Sequence, residues 1–100
     1  MTPFQRSIYE ALERLQSGEV VTYGEMAAQA AYPGAARAVG NVLRNSSGLS
    51  WWRVVTADGR LVPGLEREQE RRLRAEGIQV KAGRVLGDVV DQASQGERHP

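Results

Sequence analysis

Val21-Thr22-Tyr23-Gly24-Glu25, Ala35-Ala36-Arg37-Ala38-Val39-Gly40-Asn41 and Ser50-Trp51-Trp52-Arg53-Val54-Val55 follow one another in a single stretch from Val21 to Val55. Between Glu25 and Asp58 no acidic residue occurs, whereas Arg37, Arg44 and Arg53 all do. A chain with a formal net charge of only +1 has gathered positive charge where its turns and small residues also cluster. Phosphate attraction needs local positive charge rather than a large net charge, so the stretch reads as a surface facing nucleic acid.

Thr22 and Glu25 have the spacing of a capping box and predict a short helix that stops before Pro33. Tyr23 falls in its first turn, where a phenol can meet a phosphate or cover the core. Tyr32-Pro33-Gly34 is a turn, and a further helix is predicted from about Ala35 to Arg44. Ala36, Val39, Val42 and Leu43 can point inward there, while Arg37, Asn41 and Arg44 share the opposite face. Two helices joined by a tight turn suggest a helix-turn-helix. Ala35, Ala38 and Gly40 beside Arg37 are too small to carry donors or acceptors to base edges. Small residues instead let a backbone approach a sugar-phosphate surface, with one long side chain protruding into a shallow groove. Sequence-specific readout is therefore not expected.

Outward from this stretch, Thr2-Pro3 predicts a capped first helix with Phe4, Ile8, Ala11, Leu12 and Leu15 as its buried stripe, closing at Ser17-Gly18. Trp51 to Val55 reads as an extended segment, and Ala57-Asp58-Gly59 as a turn into Arg60-Leu61-Val62, together a small wing. Adjacent tryptophans on a strand would face opposite ways, leaving one exposed or lining a cavity unless both are core or interface residues. Leu65 to Glu76 predicts a charge-rich helix with Leu65, Gln69 and Leu73 on one face and ion-paired charges on the others. Gly77 closes it, and Ile78 and Val80 can pack back as an extended segment. The expected fold is mainly α with a short β hairpin or wing: a winged helix-turn-helix, three helices plus a C-terminal helix. Residues 1–80 form the expected domain and 81–100 an extension, without structure from about residue 92.

The chain has 100 residues, 41% hydrophobic and 25% charged, which fits one small globular domain. With no cysteine there is no disulfide, thiolate metal site or thiol nucleophile. The single histidine, His99, leaves no pair for a metal and no partner for a serine such as Ser50. No metal and no cofactor are expected. No apolar run reaches membrane-spanning length and no signal-peptide pattern is present, so the expected compartment is the cytoplasm.

Over about residues 2 to 80 the chain resembles the DNA-binding domain of the O6-alkylguanine-DNA alkyltransferases. The resemblance rests on Val21-Thr22-Tyr23-Gly24-Glu25, Ala35 to Asn41, Arg53-Val54-Val55 and Ala75-Glu76-Gly77 in that order. In that family a Pro-Cys-His-Arg motif precedes the two valines and its cysteine takes the alkyl group. The matching positions here read Ser50-Trp51-Trp52-Arg53. Tryptophan in the cysteine's place marks the alkyltransferase-like proteins, which transfer nothing. The resemblance implies that Tyr23 presses on the phosphate 3′ to the damaged nucleotide and that Arg37 fills its vacated place in the stack. It makes Ala35, Ala36, Ala38 and Gly40 the close-approach surface, Asn45 a hinge and Trp51 the wall of the pocket for the extruded base. Asn41, Arg44, Trp52, Arg53 and Arg60 complete the expected DNA and lesion contacts. Relatives commonly carry a histidine where this chain has Trp52, bonded into a carboxylate network that includes the position of Glu76. Their lid arginine has its nearest counterparts here in Arg60 and Arg67, after a short lid.

The implied function is non-enzymatic recognition of O6-alkylguanine in double-stranded DNA, by a monomer that flags the lesion for nucleotide excision repair proteins. The competing reading is a winged-helix regulator without lesion specificity.

Overall fold

The computed structural model describes residues 1–87. Helix α1 spans Pro3–Glu13, and the Thr2 hydroxyl accepts from the Gln5 N–H while the Gln5 side chain returns the bond. An isolated helix of this length is marginal in water. Its stability comes from Ile8, Ala11 and Leu12, all at most 1% exposed, and the helix ends short of Gly18 at Arg14. Strand β1 (Val21–Thr22) runs directly into α2 (Tyr23–Gln29), where the Thr22 hydroxyl accepts from the Glu25 N–H as the spacing predicts. Helix α3 covers Ala36–Arg44, with Ala35 just outside it. Val39, Val42 and Leu43 are buried, Arg37, Asn41 and Arg44 are exposed, and Ala36 is only half-buried. The two helices form the predicted helix-turn-helix.

Between them, Ala31 adopts a left-handed conformation, φ 73°. The Tyr32 N–H donates to the Ala27 carbonyl and the Ala31 N–H to that of Ala28, a Schellman closure. The same closure ends α4 (Glu66–Ala75), there with Gly77 in the left-handed place. Alanine bears a steric penalty in this conformation that glycine does not.

The Trp51–Val55 segment departs from the extended reading. Trp51–Arg53 is a 3-10 turn, closed by the Arg53 N–H on the Ser50 carbonyl, and only Val54–Val55 forms strand β2. Side chains on such a turn diverge by about 120° rather than 180°. Trp51 packs against one core and Trp52 against the other, both half-buried. β2 pairs in parallel with β1, Val21 opposite Val54 and Thr22 opposite Val55. Because strand side chains alternate, Val21 and Val54 enter a core between α1, α2 and α3. Val20 and Val55 enter a second, with Leu61, Leu73, Val80 and Val85.

The hairpin also lies elsewhere than expected. Strands β3 (Val80–Lys81) and β4 (Arg84–Val85) pair antiparallel around Ala82-Gly83, and residues 59–61 join β4's free edge through an Arg60–Arg84 bridge. The fold thus continues past the boundary expected at residue 80, with Val85 buried. The tail expected to lack structure from about residue 92 lies outside the described residues. On α4, Gln69 and Leu73 are fully buried as its inner face, but Leu65 is 48% exposed. Ion pairs join Glu68 to Arg71 and Arg72, and Glu70 to Arg74, the solvated charge ladder its pattern predicts.

Replacing Ala31 by glycine relieves the left-handed strain at the helix-turn-helix corner. Ala31→Gly is expected to raise unfolding stability by about 0.5–1 kcal/mol after the entropic cost of glycine. A urea melt with an unchanged or lowered midpoint would contradict this.

Candidate nucleic-acid interface

The first residue of α2, the second half of α3, the tryptophan turn and the 62–65 loop line a half-open cavity of about 530 Å³. Its lining includes Tyr23, Gly40, Arg44, Ser46, Trp51 and Leu65. Four residues singled out from sequence, Tyr23, Gly40, Arg44 and Trp51, therefore converge on one concavity.

Burial raises the Tyr23 phenol above its ordinary pKa, against an opposing pull from the Arg44 guanidinium. A phenol is already neutral at physiological pH, and burial holds Tyr23 further from ionisation, leaving an O–H donor suited to a phosphate oxygen. Arg44 is exposed, with its guanidinium donating to the Asn41 side-chain oxygen at 3.1 Å. The Asn45 side chain donates to the Asn41 carbonyl, satisfying the end of α3. Arg37 is exposed on the same helix and makes no side-chain hydrogen bond or ion pair among the described residues.

Gly40 is informative because its neighbours do not require it. A Cβ placed there would meet the Tyr23 ring at 3.8 Å, an ordinary contact. Glycine in a helix interior costs roughly 0.5–1 kcal/mol relative to alanine. The protein carries that cost at a position half-exposed beside Arg37, Asn41 and Arg44, where an added side chain would project into the cavity region.

Ser46 carries no signal in the sequence. Its hydroxyl donates to the Val42 carbonyl at 2.6 Å, so its only hydrogen is committed and the Tyr9 O–H must donate to it, at 2.8 Å. This pins the loop after α3 to α1. Trp51 and Ser46 also border a second cleft of about 630 Å³, lined by Leu12, Glu13, the 47–50 loop, Trp52 and Arg72.

Trp52, Arg53 and Arg60, also singled out from sequence, do not line the Tyr23–Trp51 cavity. The Trp52 indole N–H donates to Glu76 Oε2 at 2.8 Å, in the role the resemblance gives to a histidine, and the Arg72 guanidinium lies 4.7 Å from its ring centroid. Arg53 is spent internally: its Nε and Nη2 donate to Glu76 and its Nη1 to the Leu15 carbonyl. Its side chain is only 15% exposed. Arg60 pairs with Asp58 at 3.3 Å, and neither it nor Arg67 lines the Tyr23–Trp51 cavity. The rim where the resemblance implies a lid arginine is Val62-Pro63-Gly64-Leu65, with no charge.

Glu76 gathers these contacts, taking a further bond from the Gly18 N–H at 2.8 Å. Burial by itself would raise its pKa, but the donors from Arg53, Gly18 and Trp52 together hold it below the ordinary carboxylate value. Gln69, fully buried, completes the scaffold. Its Nε2 donates to the Trp52 and Val54 carbonyls, and its Oε1 accepts from the Val62 N–H at 2.7 Å. One side chain thereby ties the tryptophan turn to the loop on the cavity's rim. Helical spacing places Gln69 on α4's inner face, but a buried amide gives no periodic signal of the bonds it makes there.

The family model for the 6-O-methylguanine DNA methyltransferase DNA-binding domain matches residues 3–78. A DNA base-flipping protein of Vibrio parahaemolyticus is 40% identical over 85 residues, spanning 80% of this chain and 85% of that protein. Among solved structures, the Schizosaccharomyces pombe alkyltransferase-like protein in complex with damaged DNA containing O6-carboxymethylguanine superposes with a TM-score of 0.75. It is 30% identical and covers 81% of this chain and 82% of its own. The O6-methylguanine methyltransferase of Mycobacterium tuberculosis gives 0.67 at 34% identity, over 76% of this chain and 49% of that enzyme.

Because the Glu76 carboxylate is held ionised by its donors, its contribution to stability is complete above the ordinary carboxylate pKa of about 4.3 and is lost as pH falls through the lower folded value. Glu76→Ala is expected to cost about 3 kcal/mol at neutral pH by leaving Arg53 unpaired. The gap between wild type and Glu76→Gln should narrow in acid; a pH-independent gap would contradict the ionised network. Gln69→Leu, which strands two carbonyls and an amide, is expected to cost about 2–3 kcal/mol in the same melts.

Proposed function

Since this chain belongs to the family of the 6-O-methylguanine DNA methyltransferase DNA-binding domain, we propose that it recognises O6-alkylguanine in duplex DNA by extruding the base and holding it without chemistry. The observation that carries this reading is the convergence of Tyr23, Gly40, Arg44 and Trp51 on one cavity beside an exposed Arg37. The base-flipping name of the Vibrio relative and the damaged DNA bound by the Schizosaccharomyces relative support it.

Extrusion costs a few kcal/mol of stacking and pairing, least for a damaged base. Arg37, protruding from a helix face of small residues, takes the vacated place in the stack. The neutral Tyr23 O–H donates to the displaced phosphate. Trp51 supplies an aromatic wall, and stacking on such a wall is worth about 1–3 kcal/mol per base. Without a cysteine in the chain no thiolate attacks the alkyl carbon, so binding is reversible and the protein is not consumed. A protein that holds a lesion without curing it acts by presenting it, and nucleotide excision repair proteins are the proposed recipients, met by a monomer in the cytoplasm. A sequence-reading regulator would need donors and acceptors on α3 where Ala35, Ala38 and Gly40 stand.

The test is a titration at fixed salt of duplexes carrying O6-methylguanine or guanine at one position. Tighter binding to the modified duplex is expected, and equal affinities would remove the proposal. Arg37→Ala and Tyr23→Ala should each weaken lesion binding roughly tenfold, about 1.4 kcal/mol, with the domain still folded; only Arg37→Ala should leave the melt unchanged, because the Tyr23 ring packs on the core. Gly40→Ala separates fold from function: stability should rise by up to about 1 kcal/mol while DNA affinity falls. Full affinity in that variant would show that α3 does not approach DNA closely.

A further inference from the structure

Lys81 and Arg84 are directly opposite each other on β3 and β4, and Arg84 is opposite Arg60 across the bridge on β4's other edge. Directly opposed residues share a face of a sheet. Their neighbours Val80, Val85 and Leu61 are buried in the second core, so all three cations project outward in one row. The Arg60–Arg84 pair has the closer, non-hydrogen-bonded geometry, since the flanking Leu61 and Val85 N–H groups make the ladder bonds to the Gly83 and Gly59 carbonyls.

Like charges placed opposite one another destabilise a sheet unless an anion sits among them. Asp58 answers only in part: its carboxylate is 3.3 Å from Arg60 and 3.7 Å from Arg84. Lys81 makes no ion pair among the described residues. The side chains of Arg60 and Arg84 remain 65% and 47% exposed. The row borders an open cleft of about 570 Å³ that also includes Pro63 and Glu66. One Glu66 oxygen accepts from the Gly64 N–H at 2.9 Å. Pro63 is also a wall of the Tyr23–Trp51 cavity, so the two concavities adjoin across the 62–65 loop.

We propose that the Lys81–Arg84–Arg60 row is a second DNA contact, a sequence-independent seat for backbone phosphates beyond the nucleotide held in the cavity. Phosphates offer the anions that Asp58 does not fully supply, and a strand leaving the cavity across Pro63 reaches the row next. The hairpin thus adds affinity for duplex DNA of any sequence, and α3 with its cavity adds the preference for the lesion. This inference rests on the reading of the domain as DNA-binding, and its test separates the two.

Wild type, Lys81→Gln and the Lys81→Gln/Arg84→Gln pair are titrated with modified and unmodified duplexes across a salt series, with Arg37→Ala as the reference. For every phosphate no longer neutralised, the slope of log K against log salt should become shallower by about 0.9. The double variant should bind both duplexes several-fold more weakly, leaving the ratio between them intact, whereas Arg37→Ala lowers that ratio. Should the double variant fail to fold, Lys81→Gln carries the same comparison, because its side chain is exposed and unpaired among the described residues. An unchanged slope and affinity in the variants overturns the second contact and leaves the cavity reading intact. A wild type that binds neither duplex at low salt overturns both.

Discussion

The carboxylate of Glu76 stands at the end of α4 and receives the Gly18 amide, the Trp52 indole and the Arg53 guanidinium at once. Three chain segments are thereby fixed to one another: the loop after α1, the tryptophan turn and the end of the charged helix. A largely buried ion pair has to offset the desolvation of both ions, and does so only when the remaining lone pairs are occupied. Here they are. The turn so held sets the position of Trp51, and Gln69 repeats the arrangement about two turns of helix earlier by holding the carbonyls of Trp52 and Val54. The cavity is consequently shaped by contacts made behind it, through side chains that do not line it.

The fold has two small cores separated by a ribbon of two parallel strands. Each valine of the ribbon belongs to the core on its own side. The helical half carries the cavity's Tyr23 and Gly40; the half with α4 and the hairpin carries the outward cations. Glu76 and Gln69 are the polar bolts across the seam.

Much of this is legible in the residues. The apolar spacing of α1 and α3, the Thr2 and Thr22 caps, and the opposite face of Arg37, Asn41 and Arg44 each follow from helical periodicity, and the structure has them. Trp51 to Val55 reads as a strand because bulky aromatics followed by two valines carry strand propensity, whereas the 3-10 turn is dictated by a partner at Glu76, far away in sequence. Arg53 and Arg60 suggest DNA contacts by their charge. Nothing local reveals that one is consumed by Glu76 and the other placed at a sheet edge. The hairpin at Ala82-Gly83 is hard to foresee, since both residues have positive φ and alanine gives a weak turn signal. Within the site, Tyr23, Gly40, Arg44 and Trp51 stand out in the sequence and meet in the fold. Ser46, the bonds of Gln69 and the uncharged rim do not stand out, because their roles exist only once distant segments meet.

An indole at Trp52, where the resemblance implies a titratable ring, reaches beyond packing. Burial holds the Tyr23 phenol above its ordinary pKa, and its donors hold the Glu76 carboxylate below the ordinary carboxylate value. Both shifts move these groups further from exchanging a proton near neutrality, and the indole at Trp52 has no such proton to exchange. The bracing behind the concavity is therefore insensitive to metabolic swings in hydrogen-ion concentration around neutrality.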